Sequence, residues 1–440
     1  MIQVERDIQV KCAVICPIST ADKKSLSPQS RITEAEGLAK AINLQVCYKE
    51  ALNLKTIKPS LYFSRGFIER ISPIIAENEI ELLVIDTSLS PIQQRNLEKE
   101  LNVKVIDRTA LILEIFGERA QTREGVLQVE LAHLTYQRSR LVRSWTHLER
   151  QRGGAGFLGG PGETQIEMDR RIIDDKIVRL KKELEKVRKT RNIQRSARRK
   201  VPYPIVTLVG YTNAGKSTLF NYLTSSGVMA ADMLFATLDP TMRKLTLPSG
   251  KEIILSDTVG FISDLPHELV MAFRATLEEV LNADIIVHIR DIFNEDTLSQ
   301  RSDVLKVLES LGLKDIEYAQ NYIEVWNKAD LLNPEEHNVW ENQALKNENC
   351  ILLSALSGEG CEKLLQIIEQ KLTNSYLKYS IMIPNEDGKT AAWLHKNALV
   401  ENIVTQEGCD IYKVQISADN LSRLAKTAGK NNRISIRRET

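Results

Sequence analysis

The first 120 residues alternate short apolar runs with segments of helical periodicity. Four runs are predicted as strands, at residues 8–16, 44–47, 81–85 and 103–106. A helix is predicted over residues 34–42, with Thr33 as its N-cap. Strands that alternate with helices are typical of a parallel α/β layer, so we expect an N-terminal α/β domain over residues 1–120.

Residues 121–200 have the seven-residue repeat of two long paired helices. Leucines recur at every seventh position, with a further leucine and a tryptophan beside them: Leu127, Leu134, Leu141 and Leu148, with Leu131 and Trp145. A second apolar series has spacings of three, four and seven residues: Ile166, Ile173, Ile177, Leu180, Leu184 and Val187. Two such series joined by a short connection predict a long antiparallel helical hairpin.

The connection between the two series, residues 152–162, contains six glycines among eleven residues. Glycine opens backbone conformations that other residues avoid, and it costs entropy to order. A simple hairpin turn needs far less glycine than this. The segment is either a flexible connector or a loop that becomes ordered against a partner, and we favour the second interpretation.

Two further domains are predicted after the hairpin, because the prolines of residues 201–204 disfavour a continuing helix. An α/β domain is expected over residues 201–373 and a small α+β domain over residues 374–440. The elements predicted for the last domain are strands at 381–383, 400–404 and 411–416 and helices at 388–397 and 419–428. The basic tail at 433–438 is interpreted as a minor contact or a solvated end.

The composition is that of an ordinary globular protein. The chain has 440 residues, of which 42% are hydrophobic and 27% charged, and no run of 18 apolar residues predicts a membrane span. The first six residues lack the layout of a secretory signal. Cys12 and Cys16 lie within a predicted strand and are interpreted as buried thiols, not as a metal site. A cytoplasmic location is therefore expected.

The charge is concentrated in one segment. Residues 138–200 carry 19 Lys and Arg residues against 8 Asp and Glu residues, a local net charge of +11 in a chain whose total is +1. A solvated helix face would explain some of this excess. Because it is confined to the hairpin, we favour a polyanion partner whose phosphates supply affinity without sequence specificity.

A specific motif for phosphate binding follows the apolar strand predicted at 205–209. The sequence G-x-x-x-x-G-K-S between a strand and a helix is typical of a phosphate loop, whose backbone N–H groups surround the phosphates. Lys216 is expected to reach the β- and γ-phosphates and Ser217 to coordinate Mg²⁺. The candidate nucleotide-binding residues are Gly210, Tyr211, Thr212, Asn213, Ala214, Gly215, Lys216, Ser217 and Thr218.

Three more motifs follow in the order expected of a GTP-binding domain. The first is Asp257, Thr258, Val259 and Gly260, in which Asp257 would hold Mg²⁺ through water and the Gly260 N–H would contact the γ-phosphate. The second is Asn327, Lys328, Ala329 and Asp330. Asp330 can accept hydrogen bonds from guanine that adenine cannot donate, so it predicts selection of GTP over ATP. The third is Ser354, Ala355 and Leu356, where the Ala355 N–H is expected to contact the guanine oxygen.

These motifs resemble a translation-factor-type GTPase and, in detail, the HflX family of ribosome-associated GTPases within the Obg-HflX-like superfamily. The segments that carry the resemblance are 107–113, 128–131, 160–171, 235–241 and 257–262. It covers residues 8 to 372 and is weak after Lys378. It implies an α/β fold: a P-loop GTPase domain with a parallel-type sheet, preceded by an α/β domain with a long antiparallel helical hairpin and followed by a small α+β domain.

The family resemblance also implies an activity and partners. These are Mg²⁺-dependent GTP hydrolysis by a monomer, binding to the large ribosomal subunit and its rRNA, and splitting or rescue of stalled ribosomes. By resemblance, Thr237 is the switch threonine that closes on Mg²⁺, with Thr241 as the other candidate. Its segment adds nucleotide-binding candidates: Phe235, Ala236, Thr237, Leu238 and Asp239. The residues assigned to catalysis are Lys216, Thr237 and Gly260, and those assigned to the metal are Ser217, Thr237 and Asp257.

Two positions depart from the commonest GTPase pattern. Many GTPases place a water-orienting glutamine directly after the DxxG motif, whereas this chain has Phe261, so slow intrinsic hydrolysis is expected. Leu356 replaces the usual lysine of the last motif. Asn213 in the phosphate loop either holds K⁺ near the phosphates or only shapes the loop, since Asn tolerates unusual backbone angles.

The alternatives share the GTP-binding core. One is a GTPase of tRNA or rRNA modification or of ribosome assembly, although no site for a modifying cofactor is visible in the first 130 residues. Another is a nucleotide-gated RNA-binding scaffold with negligible turnover, which Phe261 would favour. ATP-driven RNA remodelling by the first two domains is disfavoured, because they carry no second phosphate loop.

Overall fold

The structure is a computed structural model. It describes residues 9–19, 26–151, 161–198, 203–225, 234–235, 241–264, 279–374, 376–406, 408–417, 421, 424–425 and 434–438. Three predicted features lie outside these residues wholly or in large part: the glycine-rich connection, the segment 236–239 with Thr237, and the helix predicted at 419–428.

The N-terminal part is a four-stranded parallel sheet with helices between its strands, as the alternating pattern predicts. The strands, in the sheet order β2-β1-β3-β4, are β1 (Lys11–Ser19), β2 (Gln45–Leu54), β3 (Leu82–Ile85) and β4 (Lys104–Asp107). The helices are α1 (Pro28–Lys40), α2 (Arg65–Glu77), α3 (Pro91–Leu101) and α4 (Arg108–Arg119). Both faces of the sheet are buried, each in its own hydrophobic cluster.

Helix α1 begins six residues earlier than predicted, so the prediction of Thr33 as its N-cap is wrong. Ser27 caps the helix, and its Oγ accepts a hydrogen bond from the Ser30 N–H at 3.2 Å. Pro28 follows at the first helical position, where its missing N–H costs nothing. Thr33 lies inside the helix, and its hydroxyl donates to the Gln29 carbonyl at 2.9 Å. The Ser27–Pro28 pair is the sequence signal for this start of the helix, and the prediction did not use it.

The predicted helical hairpin is confirmed. Helices α5 (Arg123–Gln151) and α6 (Pro161–Arg198) pack antiparallel, with Leu127 of α5 in one buried cluster with Leu180 and Leu184 of α6. Farther along, Arg138 and Asp174 form an ion pair at 2.8 Å. On α6, lysines 181, 182, 186 and 189 are exposed whereas Leu180 and Leu184 are buried, so these lysines lie on the outer face of the hairpin.

The domain after the hairpin has a six-stranded sheet in the order β10-β9-β8-β5-β7-β6. Its strands are β5 (Ile205–Gly210), β6 (Thr241–Thr246), β7 (Glu252–Asp257), β8 (Ile285–Asp291), β9 (Tyr322–Asn327) and β10 (Cys350–Leu352). All neighbours are parallel except β6 and β7. The helices are α7 (Lys216–Thr224), α8 (Thr297–Ser310), α9 (Pro334–Leu345) and α10 (Cys361–Asn374). The carboxyl ends of the parallel strands meet at one edge, where such sheets bind ligands.

The C-terminal part is a four-stranded antiparallel sheet in the order β12-β13-β11-β14. Its elements are β11 (Tyr376–Pro384), α11 (Gly388–Asn397), β12 (Leu399–Gln406), β13 (Cys409–Ser417) and β14 (Ser435–Arg438). Strand β14 was not predicted, although its Arg437 and Arg438 are exposed as a solvated basic end would be. Ile436 pairs with Ile381, and its alternation with Ser435 and Arg437 is the period of a strand.

One hydrophobic cluster joins the N-terminal domain to the nucleotide-binding domain. It contains Leu38 of α1 and Phe116 of α4 together with Tyr211, Phe235 and Phe261. The rings of Phe116 and Phe235 meet edge to face with centroids 4.7 Å apart. The N-terminal domain therefore packs directly against segments that carry nucleotide motifs. No described helix is both long enough and apolar enough to cross a membrane.

Candidate functional site

The phosphate loop, residues 210–217, connects β5 to α7 and depends on glycine at two positions. Gly210 has φ of +154° and Gly215 has φ of +94°, in the range that favours glycine. A Cβ atom on Gly210 would lie 2.3 Å from the Ile289 carbonyl oxygen, and one on Gly215 would lie 2.1 Å from Asn327 Nδ2. Side chains at these positions would therefore collide with neighbouring strands of the same domain.

Lys216 lies at the start of α7 and is buried. Its Nζ donates a hydrogen bond to the Tyr211 carbonyl at 2.7 Å. Burial lowers the pKa of Lys216 to about 8, because the charged ammonium loses hydration. A Cβ placed on Gly260 would lie 3.1 Å from the same Nζ, so the DxxG motif lies directly beside the lysine.

The predicted metal ligands Ser217 and Asp257 are brought together. The Ser217 hydroxyl donates to Asp257 Oδ2 at 2.7 Å, and the Asp257 side chain is fully buried. A hydroxyl and a carboxylate are hard oxygen donors, which fit Mg²⁺. Thr258 supports this strand end by donating to the Leu208 carbonyl at 2.7 Å. Thr241 begins β6 opposite Asp257, whereas Thr237 lies outside the described residues.

The guanine-recognition motifs meet the phosphate loop through Asn327. Its Nδ2 donates to the Ala214 carbonyl at 2.8 Å, and its Oδ1 accepts from the Ala355 N–H at 2.9 Å. The Ala355 N–H was expected to face the guanine oxygen, and in this structure it is directed to Asn327 instead. The Ser354 hydroxyl donates to Asp330 Oδ1 at 2.5 Å, and Asp330 is exposed, so its carboxylate remains accessible to a base.

Three other candidates at this edge have more peripheral positions. Lys328 Nζ lies 2.7 Å from Asp291 Oδ2, which anchors the motif to the end of β8. Leu356 is 76% exposed and makes no contribution to the core. Asn213 is exposed and has φ of +59°, a left-handed conformation that Asn tolerates better than most residues.

The aromatic candidates do not present their rings to solvent. Tyr211, Phe235 and the glutamine-replacing Phe261 are each at most 4% exposed. Backbone bonds join the two motifs: the Thr212 N–H donates to the Phe261 carbonyl at 2.7 Å, and the Phe261 N–H donates to the Gly210 carbonyl at 3.1 Å. Apolar residues inside otherwise polar motifs were the sequence signal that these positions pack against another domain.

Sequence reasoning missed the residues of the N-terminal domain that reach this site. Glu34 on α1 accepts a hydrogen bond from the Tyr211 hydroxyl, and Arg108 on α4 donates to the Ser263 carbonyl at 2.9 Å. No local motif marks Glu34, and the segment 107–113 that contains Arg108 carries the family resemblance without indicating this contact. Only the packing of the two domains brings these side chains within reach of the phosphate loop.

Comparison with known proteins finds family matches along most of the chain. Four family models match successive segments: "GTP-binding GTPase N-terminal" at residues 29–117, "GTP-binding GTPase Middle Region" at 119–198, "50S ribosome-binding GTPase" at 205–328 and "HflX C-terminal domain" at 340–436. The last match extends the family resemblance well beyond Lys378, where the sequence motifs alone were weak.

Individual relatives agree with the family models. The GTPase HflX of Magnetococcus marinus is 48% identical over 396 residues, which is 90% of each chain. The GTPase HflX of Escherichia coli is 39% identical over 90% of this chain and 92% of its own. A solved GTP-binding protein from Sulfolobus solfataricus, in complex with GDP, is 23% identical and covers 83% of this chain and 99% of its own, with a TM-score of 0.44. At the identity and coverage of the first two relatives, this chain belongs to the HflX family, and it is a P-loop GTPase that binds and hydrolyses GTP.

Proposed function

We propose that this GTPase binds the large ribosomal subunit and couples GTP hydrolysis to the splitting or rescue of stalled ribosomes. The observation that carries the proposal is the outer face of α6, where lysines 181, 182, 186 and 189 are exposed beside a buried apolar seam. A rod with cations on one face suits contact with phosphate backbones. The family model over residues 205–328, described as a 50S ribosome-binding GTPase, supports the same partner.

The nucleotide site is proposed to work mainly by positioning and charge stabilisation. Lys216 would bind the β- and γ-phosphates, and the Gly260 N–H would contact the γ-phosphate. Ser217 would hold Mg²⁺ directly and Asp257 through water, with Thr237 or Thr241 as the switch ligand. When bound, the metal neutralises charge that develops on the phosphate oxygens.

Guanine selection is proposed to depend on Asp330 and its hydrogen bond from Ser354. With adenine, the Asp330 carboxylate would lack the two donors that guanine supplies, which disfavours ATP. Asn327 would hold the two loops together, as its bonds to Ala214 and Ala355 do in this structure. The remaining candidates of the loops would contribute backbone contacts around the nucleotide.

The phenylalanine at position 261 supports a GTP hydrolysis reaction that depends on a partner. Because its buried ring cannot polarise water, no side chain at this position orients the nucleophile. We therefore propose that intrinsic turnover is slow and that the ribosome, or K⁺ near Asn213, supplies part of the missing stabilisation. We also propose a monomer with domains at 1–120, 121–200, 201–373 and 374–440.

The test is sedimentation of purified large ribosomal subunits with the protein in GTP, GDP or a non-hydrolysable GTP analogue. Co-sedimentation should be strongest with the analogue and should weaken steeply with salt. Replacement of lysines 181, 182, 186 and 189 by Glu should abolish it without changing GTP affinity. The matched control replaces four exposed lysines on other elements, at positions 99, 104, 346 and 363, and should still bind. Equal loss in both variants would contradict the proposed surface.

A further inference from the structure

Helices α1 and α4 of the N-terminal domain contact three segments that carry nucleotide motifs. Tyr211 in the phosphate loop bonds Glu34 of α1. Phe235, in the segment before Thr237, packs against Phe116 of α4. Ser263, three residues after Gly260, is bonded by Arg108 of α4. The N-terminal domain thus contacts both the loop that holds the phosphates and the segment that follows the γ-phosphate motif.

Within the polar part of this contact, Glu34, Arg108, Tyr211 and Ser263 bond one another, and we call these four residues the interdomain network. The Ser263 N–H donates to the Tyr211 hydroxyl at 2.8 Å, and that hydroxyl donates to Glu34 Oε2. The Ser263 hydroxyl donates to Glu34 Oε1 at 3.1 Å. Arg108 Nη2 donates to the same Glu34 oxygen and to the Ser263 carbonyl at 2.9 Å. Every member therefore bonds at least two others.

The network is buried and its charges are compensated. The side chains of Arg108 and Glu34 are 4% and 8% exposed. Asp86, 2% exposed, accepts a second bond from Arg108 and lies 3.4 Å from Arg31, so two buried anions face two cations. Burial and the nearby Glu34 carboxylate raise the pKa of Tyr211 well above its usual value, so its hydroxyl remains a donor. Buried groups that are held by several hydrogen bonds each favour one geometry.

The network is coupled to the nucleotide site through short backbone connections. The Tyr211 carbonyl accepts the hydrogen bond of Lys216 at 2.7 Å. Backbone bonds join Tyr211 and its neighbours to Phe261, which lies between Gly260 and Ser263. A Cβ on Gly260 would lie 2.8 Å from Thr212 Cγ2, so the γ-phosphate motif is pressed against the phosphate loop. Loss of the hydrogen bonds that hold Ser263 would loosen the contact between Gly260 and the phosphate loop.

We propose that Glu34 and Arg108 are positioning residues for GTP hydrolysis, which act through Tyr211 and Ser263 to hold Gly260 against the phosphate loop. The inference rests on the proposed contact of the Gly260 N–H with the γ-phosphate. GDP has no γ-phosphate, so it does not use that contact. Damage to the network therefore weakens GTP binding and turnover while it leaves GDP binding almost unchanged.

The test is Tyr211→Phe, which removes the central hydroxyl and keeps the ring. The affinity for a non-hydrolysable GTP analogue should fall about fivefold or more, because the variant removes both hydrogen bonds of the Tyr211 hydroxyl, and kcat should fall with it. The affinity for GDP should change by less than about twofold. The matched control is Tyr322→Phe, because Tyr322 is 2% exposed and its hydroxyl lies 2.7 Å from His288 Nδ1 in the same domain. That variant should lose thermal stability but keep its preference between the two nucleotides.

A double-mutant cycle links the effect to the N-terminal domain. Glu34→Gln should also weaken GTP-analogue binding selectively, and Tyr211→Phe added to it should cost much less than the sum of the two changes. Additive effects, an equal loss of GDP affinity or a rise in kcat would each overturn the proposal. Gly260→Ala distinguishes a failure of the proposed γ-phosphate contact from a failure of the interdomain network. Its added Cβ would also approach Lys216 Nζ at 3.1 Å, so the comparison with GDP decides the outcome. If the variant changes the affinities for the GTP analogue and GDP equally, the proposed γ-phosphate contact itself is wrong; if it weakens the analogue selectively while Tyr211→Phe does not, only the interdomain network is excluded.

Discussion

Asn327 Nδ2 donates to the Ala214 carbonyl at 2.8 Å, so one side chain joins the guanine motif to the phosphate loop. The contact is possible because Gly215 has no Cβ; one placed there would lie 2.1 Å from the Asn327 nitrogen. The same amide bonds the Ala355 N–H through its oxygen. The phosphate loop, 113 residues before Asn327, and the motif of Ala355, 28 residues after it, are thereby held in one arrangement.

Asn327→Ala should weaken GTP and GDP to a similar degree, by about tenfold or more, because it releases two buried hydrogen bonds shared by both complexes. Titration with fluorescent GTP and GDP measures the two affinities directly. A selective loss of GTP would show that Asn327 acts at the γ-phosphate and not as a bridge between the loops.

Asp330→Asn should change base preference and not phosphate binding. The amide can donate to the 2-oxo group of xanthine, so GTP affinity should fall and xanthosine triphosphate affinity should rise. Ser354→Ala, which removes only the hydrogen bond to Asp330, serves as the control and should weaken GTP without favouring xanthosine triphosphate. Unchanged preference of Asp330→Asn in a competition titration would remove Asp330 from the guanine site.

Nucleotide affinity should fall as the pH rises above about 8, where buried Lys216 of the free protein loses its proton. Phosphates favour the charged lysine, so its pKa is higher in the complex, and binding above pH 8 must take up a proton. Because a single group titrates, nucleotide affinity should fall by at most about tenfold for each pH unit above 8. Calorimetry of GDP binding at pH 8.5 in two buffers of different ionisation enthalpy measures the uptake. No uptake, or tighter binding at higher pH, would contradict the effect of burial.

K⁺ should raise GTP turnover above the rate in Na⁺ at equal ionic strength if Asn213 supplies an oxygen ligand beside the phosphates. A cation there would stabilise the negative charge that develops on the phosphate oxygens during hydrolysis, and the Phe261 side chain cannot supply that stabilisation. Asn213→Ala should then remove the difference between the two salts. Equal rates in both salts, with and without ribosomal subunits, would leave Asn213 only its role in shaping the left-handed turn at φ of +59°.

The sequence predicts the parts of the site that short motifs specify. The phosphate loop, the Ser217–Asp257 pair and the Asn327 motif each depend on local backbone geometry, so a few adjacent residues are sufficient to identify them. The hairpin was predictable because its seam repeats regularly. The contacts of Glu34 and Arg108 were not predictable, because they form only where the two domains pack together, and neither Glu34 nor the segment 107–113 around Arg108 indicates that packing. The start of α1 was missed because Ser27 and Pro28 precede the periodic pattern.

The hydrophobic cluster shared by the two domains has a consequence for how the protein unfolds. Tyr211, Phe235 and Phe261 share one buried cluster with residues of α1 and α4, so separation of the domains would expose apolar side chains of that cluster at a cost on the order of 1.5–3 kcal/mol for each side chain that becomes fully exposed. Melting of residues 9–119 and of the GTPase domain is therefore expected as one cooperative thermal transition. Because a ligand stabilises every part that unfolds with its site, bound nucleotide should slow amide hydrogen exchange in α1, a helix that lies more than 170 residues before the phosphate loop.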